Sequence, residues 1–173
     1  MSEILNNAIA KVQSARHAFC RFITANDTGK NGSHQAGFYI PKCAAALLFE
    51  RLGVKGENKD KFVTVKWQND FTTESRFIYY GQGTRNEYRI TRFGKNFPFF
   101  EEDNVGDLLI IAQQSEDYYY GFVLQTDQDI DDFFAFFNLS PEMTNQLIDI
   151  ASANTPEKQL ETNIQELVSS YTD

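Results

Sequence analysis

The chain has 173 residues, of which 42% are hydrophobic and 14% aromatic, a composition that excludes intrinsic disorder and suits one packed domain. No apolar run approaches the ~18 residues of a membrane span, and the first residues lack the apolar segment of a secretory signal, so we expect a cytoplasmic protein. The formal net charge of −8, taken as an average, argues against a nucleic-acid-binding protein.

The average conceals a strong division of charge along the chain. Residues 1–96 hold 15 basic and 8 acidic side chains, a net charge of +7, whereas residues 97–173 hold one basic and 16 acidic side chains, a net charge of −15. Because the local field guides charged partners more than the total charge does, the basic first half is compatible with phosphate binding. Two ordinary solvated faces are the alternative.

The N-terminal part predicts a helix, a strand and a long polar loop. Apolar residues at helical spacing favour a helix over 3–15, and alternation favours a strand over 17–24 with Phe19, Arg21 and Ile23 on one face. Residues 25–37 combine turn-forming residues with three glycines, which predicts an exposed and functional loop. A short extended segment at 38–40 follows, and then a helix that Pro41 begins and Gly53 ends.

The middle of the chain predicts a β-rich domain. Strand patterns occupy 61–68, 74–80, 87–93, 106–114 and 117–125, and GQGT (81–84) forms a turn between two of them. Helical patterns follow at 127–138, 141–152 and 155–171. We therefore expect a mainly β fold, a small barrel or sandwich with flanking α-helices, as one domain over 1–173. Its helical C-terminal part, about 127–173, is expected to cap the barrel.

The segment TRNEYRITRFGK (84–95) carries the densest group of informative side chains. Residues 85, 87 and 89 of an extended strand share a face, so Arg85, Glu87 and Arg89 are expected to project together. A guanidinium bonds the major-groove edge of guanine at two points and a carboxylate accepts from the cytosine amino group, so this face suits reading of G and C. A salt-bridge ladder on a sheet surface is the alternative. The other candidates in this segment are Asn86, Arg92 and Lys95.

The polar loop at 25–37 supplies the second candidate group. Its glycines allow the backbone to approach a ligand closely, although it lacks the G-x-x-x-x-G-K-[ST] order of a nucleotide-binding loop. The hydrogen-bonding candidates in it are Asn26, Lys30, Ser33, His34 and Gln35.

No convincing catalytic or metal site emerges from the sequence. The aspartates within 127–132 fit a solvated helix N-terminus better than a calcium loop, which needs a turning Gly and a closing Glu. Glu57 and Lys59 match half of a nuclease pattern without a positioned acidic partner. The two histidines stand in no triad motif, and Cys20 and Cys43 are expected to be free thiols in or near the core. We expect neither a cofactor nor a metal.

Two segments carry a family resemblance. ANDTGKNGSHQAGFYIP (25–41) and GTRNEYRITRFGK (83–95) closely resemble the two most recognisable stretches of the N-terminal, effector-binding domain of EcoRII-type restriction endonucleases. The resemblance is loose over the first helix and strand and is not followed through the C-terminal part.

The resemblance implies a DNA-binding pseudobarrel of the plant B-three type, whose two arms clasp the major groove of double-stranded CCWGG. His34 and Tyr39 match DNA-contacting positions of the first arm, and Arg85, Glu87 and Arg89 match those of the second. In the full enzyme a separate nuclease domain follows. This chain has Gly83 and Tyr88 where the family enzyme has lysines, which is expected to weaken the attraction to phosphates.

We therefore expect a bacterial, sequence-specific DNA-binding domain without a catalytic site of its own. It is expected to bind double-stranded DNA as a monomer, independently of metal and membrane, and to be fused to a nuclease domain in the full-length protein. The alternative is a stand-alone DNA-binding or protein-interaction module whose acidic half faces a partner. A metal-dependent nuclease complete in itself is a third hypothesis.

Overall fold

A computed structural model describes residues 1–28, 37–94, 96–153 and 156–171 of the chain. The helices are α1 (Glu3–Gln13), α2 (Ala25–Thr28), α3 (Asp127–Phe137) and α4 (Pro156–Tyr171). The strands are β1 (Ala18–Phe22), β2 (Phe38–Ile40), β3 (Lys59–Lys66), β4 (Thr72–Tyr80), β5 (Glu87–Thr91), β6 (Leu108–Gln113), β7 (Tyr118–Leu124) and β8 (Gln146–Leu147). The strands predicted from alternation are confirmed, with ends that differ by at most two residues. None of the described helices is both long and apolar enough to cross a membrane.

All these strands belong to one curved sheet. Their order is β2-β5-β4-β3-β7-β6-β1-β8, and every neighbouring pair is antiparallel except β3 and β7, which are parallel. A 3-10 segment, Lys42–Leu47, lies against β1, β5 and β8 and so joins regions near the two ends of the sheet. The mainly β pseudobarrel with flanking helices is confirmed.

The interior of the pseudobarrel is a dense aromatic core. Alternation along β3 and β4 turns Val63, Val65, Phe77 and Tyr79 inward, where each is at most 2% exposed. Trp67 extends this row, and its indole N–H donates to Thr73 Oγ1 at 2.9 Å. The inward side chains therefore fix which residues face outward on these strands.

A second core lies on the opposite side of β1, β6 and β7. Helices α1 and α3 cover it, and its fully buried members include Leu5, Val12, Phe133 and Phe137. Cys20 belongs to this core, whereas Cys43 is exposed, so the expectation of a thiol in or near the core holds only for Cys20. Both are free thiols, as predicted.

Helix α4 does not use its apolar face to cap the barrel. The helix itself was predicted from the spacing of its apolar residues, but in the structure these residues are 52–60% exposed. These residues are Leu160, Ile164, Leu167 and Val168. The capping function expected of the C-terminal helices is carried by α3, together with α1.

The predicted helix between Pro41 and Gly53 is shorter than expected. It is a 3-10 segment that ends at Leu47, whose carbonyl oxygen accepts a 2.6 Å hydrogen bond from the Tyr119 hydroxyl. The next residues, Leu48 and Phe49, are also buried. Three consecutive buried residues do not suit a helix with one apolar face, so the segment follows the core instead.

The predicted helix over 141–152 is wrong. This segment contains two short 3-10 turns around strand β8, which pairs with β1. Asn145 takes a left-handed conformation (φ 61°) and its N–H donates to the Cys20 carbonyl, while the Ile148 N–H donates to the Ala18 carbonyl. The free edge of β1 therefore supplies hydrogen-bond partners that a helix would not use.

Candidate nucleic-acid interface

Arg85, Glu87 and Arg89 project together from the outer face of the sheet, at the start of β5. One carboxylate oxygen, Glu87 Oε1, accepts from Arg85 Nε at 3.2 Å and Nη2 at 2.5 Å, and from Arg89 Nε at 3.4 Å. The side chains are 50%, 25% and 13% exposed in chain order. The predicted shared face is thus present, and so are the ion pairs of the salt-bridge alternative.

The Arg85 side chain is held from two directions. Its guanidinium carbon lies 3.6 Å from the centre of the Tyr80 ring, and Tyr80 is the partner of Glu87 across the β4–β5 pair. Partial desolvation raises the pKa of Glu87, but the hydrogen bonds and positive charges of Arg85 and Arg89 outweigh it and lower the pKa below its ordinary value. Glu87 is therefore an ionised hydrogen-bond acceptor at neutral pH.

Tyr39 lies directly beside Arg89. The two are register partners in the β2–β5 pair, and Tyr39 is 44% exposed because its neighbours Phe38 and Ile40 both face the core. Strand β2 follows the polar loop, so this pairing joins the described end of that loop to the Arg-Glu-Arg face.

A cleft of about 550 Å³ opens between these two parts of the chain. Its lining comes from β1, the short helix α2 that occupies the start of the predicted polar loop, β2, β5 and the segment before β8. The lining residues are Arg21, Thr24, Asn26, Asp27, Tyr39, Pro41, Arg89 and Asn145.

Arg21 and Asp27 form a buried ion pair at the base of this cleft. Arg21 Nη2 lies 2.7 Å from Asp27 Oδ2, and Arg21 Nη1 donates to the Tyr39 carbonyl at 2.8 Å. Burial lowers the pKa of Arg21 from its ordinary value, Asp27 opposes the change and the positive charge of Arg89 adds to it. An arginine remains protonated despite such a shift, so Arg21 places a fixed positive charge close to Arg89.

Asn86 and Arg92 lie apart from the Arg-Glu-Arg face. Asn86 Oδ1 accepts a 2.8 Å hydrogen bond from the Tyr79 hydroxyl, on the side of the strand that faces the core. Arg92 follows β5 with φ 65°, and its guanidinium carbon lies 5.1 Å from the centre of the exposed Phe62 ring on β3. The remaining candidates lie outside the described residues: Lys30, Ser33, His34, Gln35 and Lys95.

One of the two positions that lack a family lysine faces the barrel interior. Tyr88 is 3% exposed, its ring centre lies 4.7 Å from that of Tyr79, and its hydroxyl accepts from the Gly53 N–H at 2.7 Å. Gly83 lies at the tip of the β4–β5 turn with φ 62°. Tyr88 therefore contributes to the core instead of the outer face.

Arg21 and Tyr80, which contact the candidate residues, were not predicted from the sequence. Arg21 lies on the same core-facing side as Phe19 and Ile23. A charged residue among apolar ones needs a buried partner, and this pattern could have indicated that Arg21 belongs to a polar site. Tyr80 carried no comparable signal, because its contact with Arg85 depends on how β4 and β5 pair.

The acidic residues at 127–132 lie at the start of helix α3. Thr126 caps α3, its hydroxyl accepting from the Asp129 N–H at 3.2 Å, so the helix-terminus interpretation of 127–132 is confirmed. Lys59 begins β3, and its Nζ lies 4.6 Å from the centre of the Phe49 ring. Across the described ranges, no three His, Cys, Asp or Glu side chains are grouped so that they could hold a metal ion.

A sequence model of the family described as "Restriction endonuclease EcoRII, N-terminal" matches residues 12–143, most of the chain. The chain belongs to this family. The match includes both segments that carry the resemblance and every strand from β1 to β7.

Two proteins are similar to parts of the chain. The type II restriction enzyme EcoRII of Escherichia coli is 39% identical over 101 residues, a region that is 54% of this chain and 25% of that enzyme. The chain therefore spans about a quarter of the length of this curated relative. A crystal structure of the UbaLAI restriction endonuclease B3 domain with cognate DNA aligns over 78% of this chain and 88% of that one, with 19% identity and a TM-score of 0.46.

Proposed function

We propose that this domain binds double-stranded DNA sequence-specifically through the major groove, with CCWGG as its site. The observation that carries the proposal is the placement of Tyr39 beside the Arg85–Glu87–Arg89 face, next to a cleft at the base of the polar loop. The second arm is the β4–β5 turn with the start of β5, and the first arm is the polar loop with Tyr39 at its end.

The charge of this region supports an anionic partner. The described part of the cleft and the adjacent face combine three guanidinium groups, those of Arg21, Arg85 and Arg89, with two carboxylates, those of Asp27 and Glu87. An excess positive charge attracts phosphates, and it lies in the basic first half of a chain whose total charge is negative.

The internal ion pairs are compatible with base reading. A guanidinium carries five N–H donors, so an ion pair from Arg89 Nε to Glu87 still allows a bidentate bond from its other nitrogens to guanine O6 and N7. Glu87 keeps its negative charge and can accept from a cytosine amino group. The ion pairs therefore orient the side chains before DNA arrives, which lowers the ordering cost of binding.

We infer that the domain serves as a target-recognition or effector domain of a bacterial, cytoplasmic type II restriction endonuclease. The family match and the E. coli relative, of which this chain spans only a quarter, support an association with a nuclease domain in a longer protein. The domain is proposed to bind DNA as a monomer, because both arms lie on one chain.

A gel-shift experiment with Arg89→Ala tests the proposal. Wild-type protein should prefer a CCWGG duplex over a scrambled duplex, and Arg89→Ala should lose about 1–3 kcal/mol of binding free energy for CCWGG, as expected for one bidentate base contact. Arg16→Ala is the matched control, because Arg16 is exposed before β1, at the opposite end of that strand from Arg21. Equal binding of both duplexes before and after the Arg89 change would overturn specific readout by this face.

A further inference from the structure

A lysine from a neighbouring loop holds the turn between β4 and β5. Lys55 Nζ donates to three carbonyl oxygens of this turn, those of Gly81 at 2.9 Å, Gly83 at 2.5 Å and Arg85 at 2.8 Å. A lysine ammonium has three N–H donors, so the turn engages all of them. Although Lys55 is exposed, its charge is directed at the turn.

The loop at 53–58 contacts the turn through a second side chain. Asn58 Oδ1 accepts from the backbone N–H groups of Gly81 at 2.9 Å and Gln82 at 3.2 Å. At Gly83 an added Cβ would meet nothing within 4 Å, so packing does not hold the tip of the turn. Hydrogen bonds hold its shape instead: Lys55 donates to the turn, Asn58 accepts from it, and the Gly56 N–H donates to the Gly81 carbonyl at 2.7 Å.

Arg85 connects this turn to the candidate interface. Its carbonyl bonds to Lys55, its guanidinium stacks on Tyr80, and its Nη2 donates to Glu87. Lys55 thus holds the backbone of Arg85 while Tyr80 and Glu87 hold its side chain. Because hydrogen bonds weaken steeply when distance or angle changes, a displaced turn would take Arg85 out of reach of a base edge.

We propose that Lys55 is a positioning residue for DNA recognition, which fixes the turn so that Arg85 meets its base pair, without contacting DNA itself. This inference rests on the proposed function of the Arg85–Glu87–Arg89 face. It adds to that face a specificity determinant outside both arms.

Two substitutions of Lys55 separate positioning from phosphate binding. Lys55→Met removes the three donors. Lys55→Arg keeps the charge, but its planar guanidinium cannot direct three N–H groups from a single nitrogen to three separate carbonyl oxygens. Both variants should lose about tenfold in affinity for CCWGG, within the ~5- to 150-fold that a bidentate base contact is worth. The slope of log Kd against log salt should stay at the wild-type value. A phosphate-binding lysine would instead reduce that slope by about 0.9 in Lys55→Met, and Lys55→Arg would restore binding.

A double-mutant cycle and hydrogen exchange complete the test. In an Arg85→Ala background, Lys55→Met should cause no further loss of CCWGG affinity, because the contact that it positions is already absent. Amide exchange in the turn should accelerate in Lys55→Met. Asn58→Ala, which removes the second side-chain anchor of the turn, should also lower CCWGG affinity. Additive losses in the cycle, or unchanged exchange in the turn, would overturn the proposal.

The outcomes distinguish this inference from the function on which it rests. A wild-type domain without preference for CCWGG over a scrambled duplex would overturn the proposed function and this positioning function together. If the wild-type domain prefers CCWGG and the Lys55 variants bind CCWGG with the same preference, the positioning function alone is overturned.

Discussion

The buried ion pair at the base of the cleft gives a quantitative stability prediction. Arg21 and Asp27 are 9% and 6% exposed, and Asp27 Oδ2 also accepts from the N–H and hydroxyl of Thr24. Removing one partner of a buried pair costs about 3–5 kcal/mol, because the other charge stays buried without its partner. We expect Asp27→Ala to lower the free energy of unfolding by that amount, a large part of the ~5–15 kcal/mol typical of a domain. Urea denaturation followed by circular dichroism measures the change.

A second ion pair of the same length is the control. Arg76 Nε and Asp60 Oδ2 are also 2.7 Å apart, but their side chains are 32% and 40% exposed, so solvent screens them. Asp60→Ala should therefore change the free energy of unfolding by at most about 1 kcal/mol. Replacing both buried partners, with Arg21→Met and Asp27→Leu, should recover most of the loss from Asp27→Ala. Equal losses for Asp27→Ala and Asp60→Ala would refute the argument from burial.

Three further predictions concern the thiols, one glycine and Glu87. In the native protein a thiol reagent should label Cys43 only, because burial makes Cys20 inaccessible to the reagent and raises the pKa of its thiol to about 12. Labelling of Cys20 before unfolding would contradict the described core. Gly37→Ala should lower the midpoint of thermal unfolding much more than Gly106→Ala: both glycines have positive φ (124° and 95°), but only at Gly37 would a Cβ collide with backbone, at the Ile90 carbonyl. The Glu87 carboxyl should titrate below its ordinary pKa of 4.5 in an NMR titration, and Arg85→Ala should raise that midpoint. Because the pKa of Glu87 is lower in the folded than in the unfolded protein, the stabilisation from Glu87 is present above about pH 4.5 and is lost as the pH falls through the folded pKa. A titration midpoint unaffected by Arg85→Ala would contradict the assigned ion pair.

Local patterns predicted the Arg85–Glu87–Arg89 face because its geometry is local. Strand alternation alone places Arg85, Glu87 and Arg89 on one face, and the glycines of GQGT alone indicate the adjacent turn. The strands of the barrel followed for the same reason, since their inward aromatic and branched residues repeat every second position.

Contacts between distant parts of the chain were beyond prediction from local patterns. Tyr39 meets Arg89 only because β2 pairs with β5, and Lys55 meets the 81–85 turn only because the β3–β4 hairpin brings its loop there. The segment around β8 has a helix-like composition, but its N–H groups pair with the open edge of β1. In each case a long-range partner, absent from the local sequence, decides the structure.

The central claim is that the Arg85–Glu87–Arg89 face reads bases, and a complete substitution profile of the site tests it most directly. Binding of wild-type protein, Arg89→Ala and Glu87→Gln would be measured at fixed salt against CCWGG and every duplex with one base pair changed. We expect each change to cost wild-type protein about 1–3 kcal/mol, and each variant to become indifferent at one particular G·C pair while discriminating at the others. A wild-type profile with no dependence on sequence, or variants that weaken all duplexes equally, would contradict the claim.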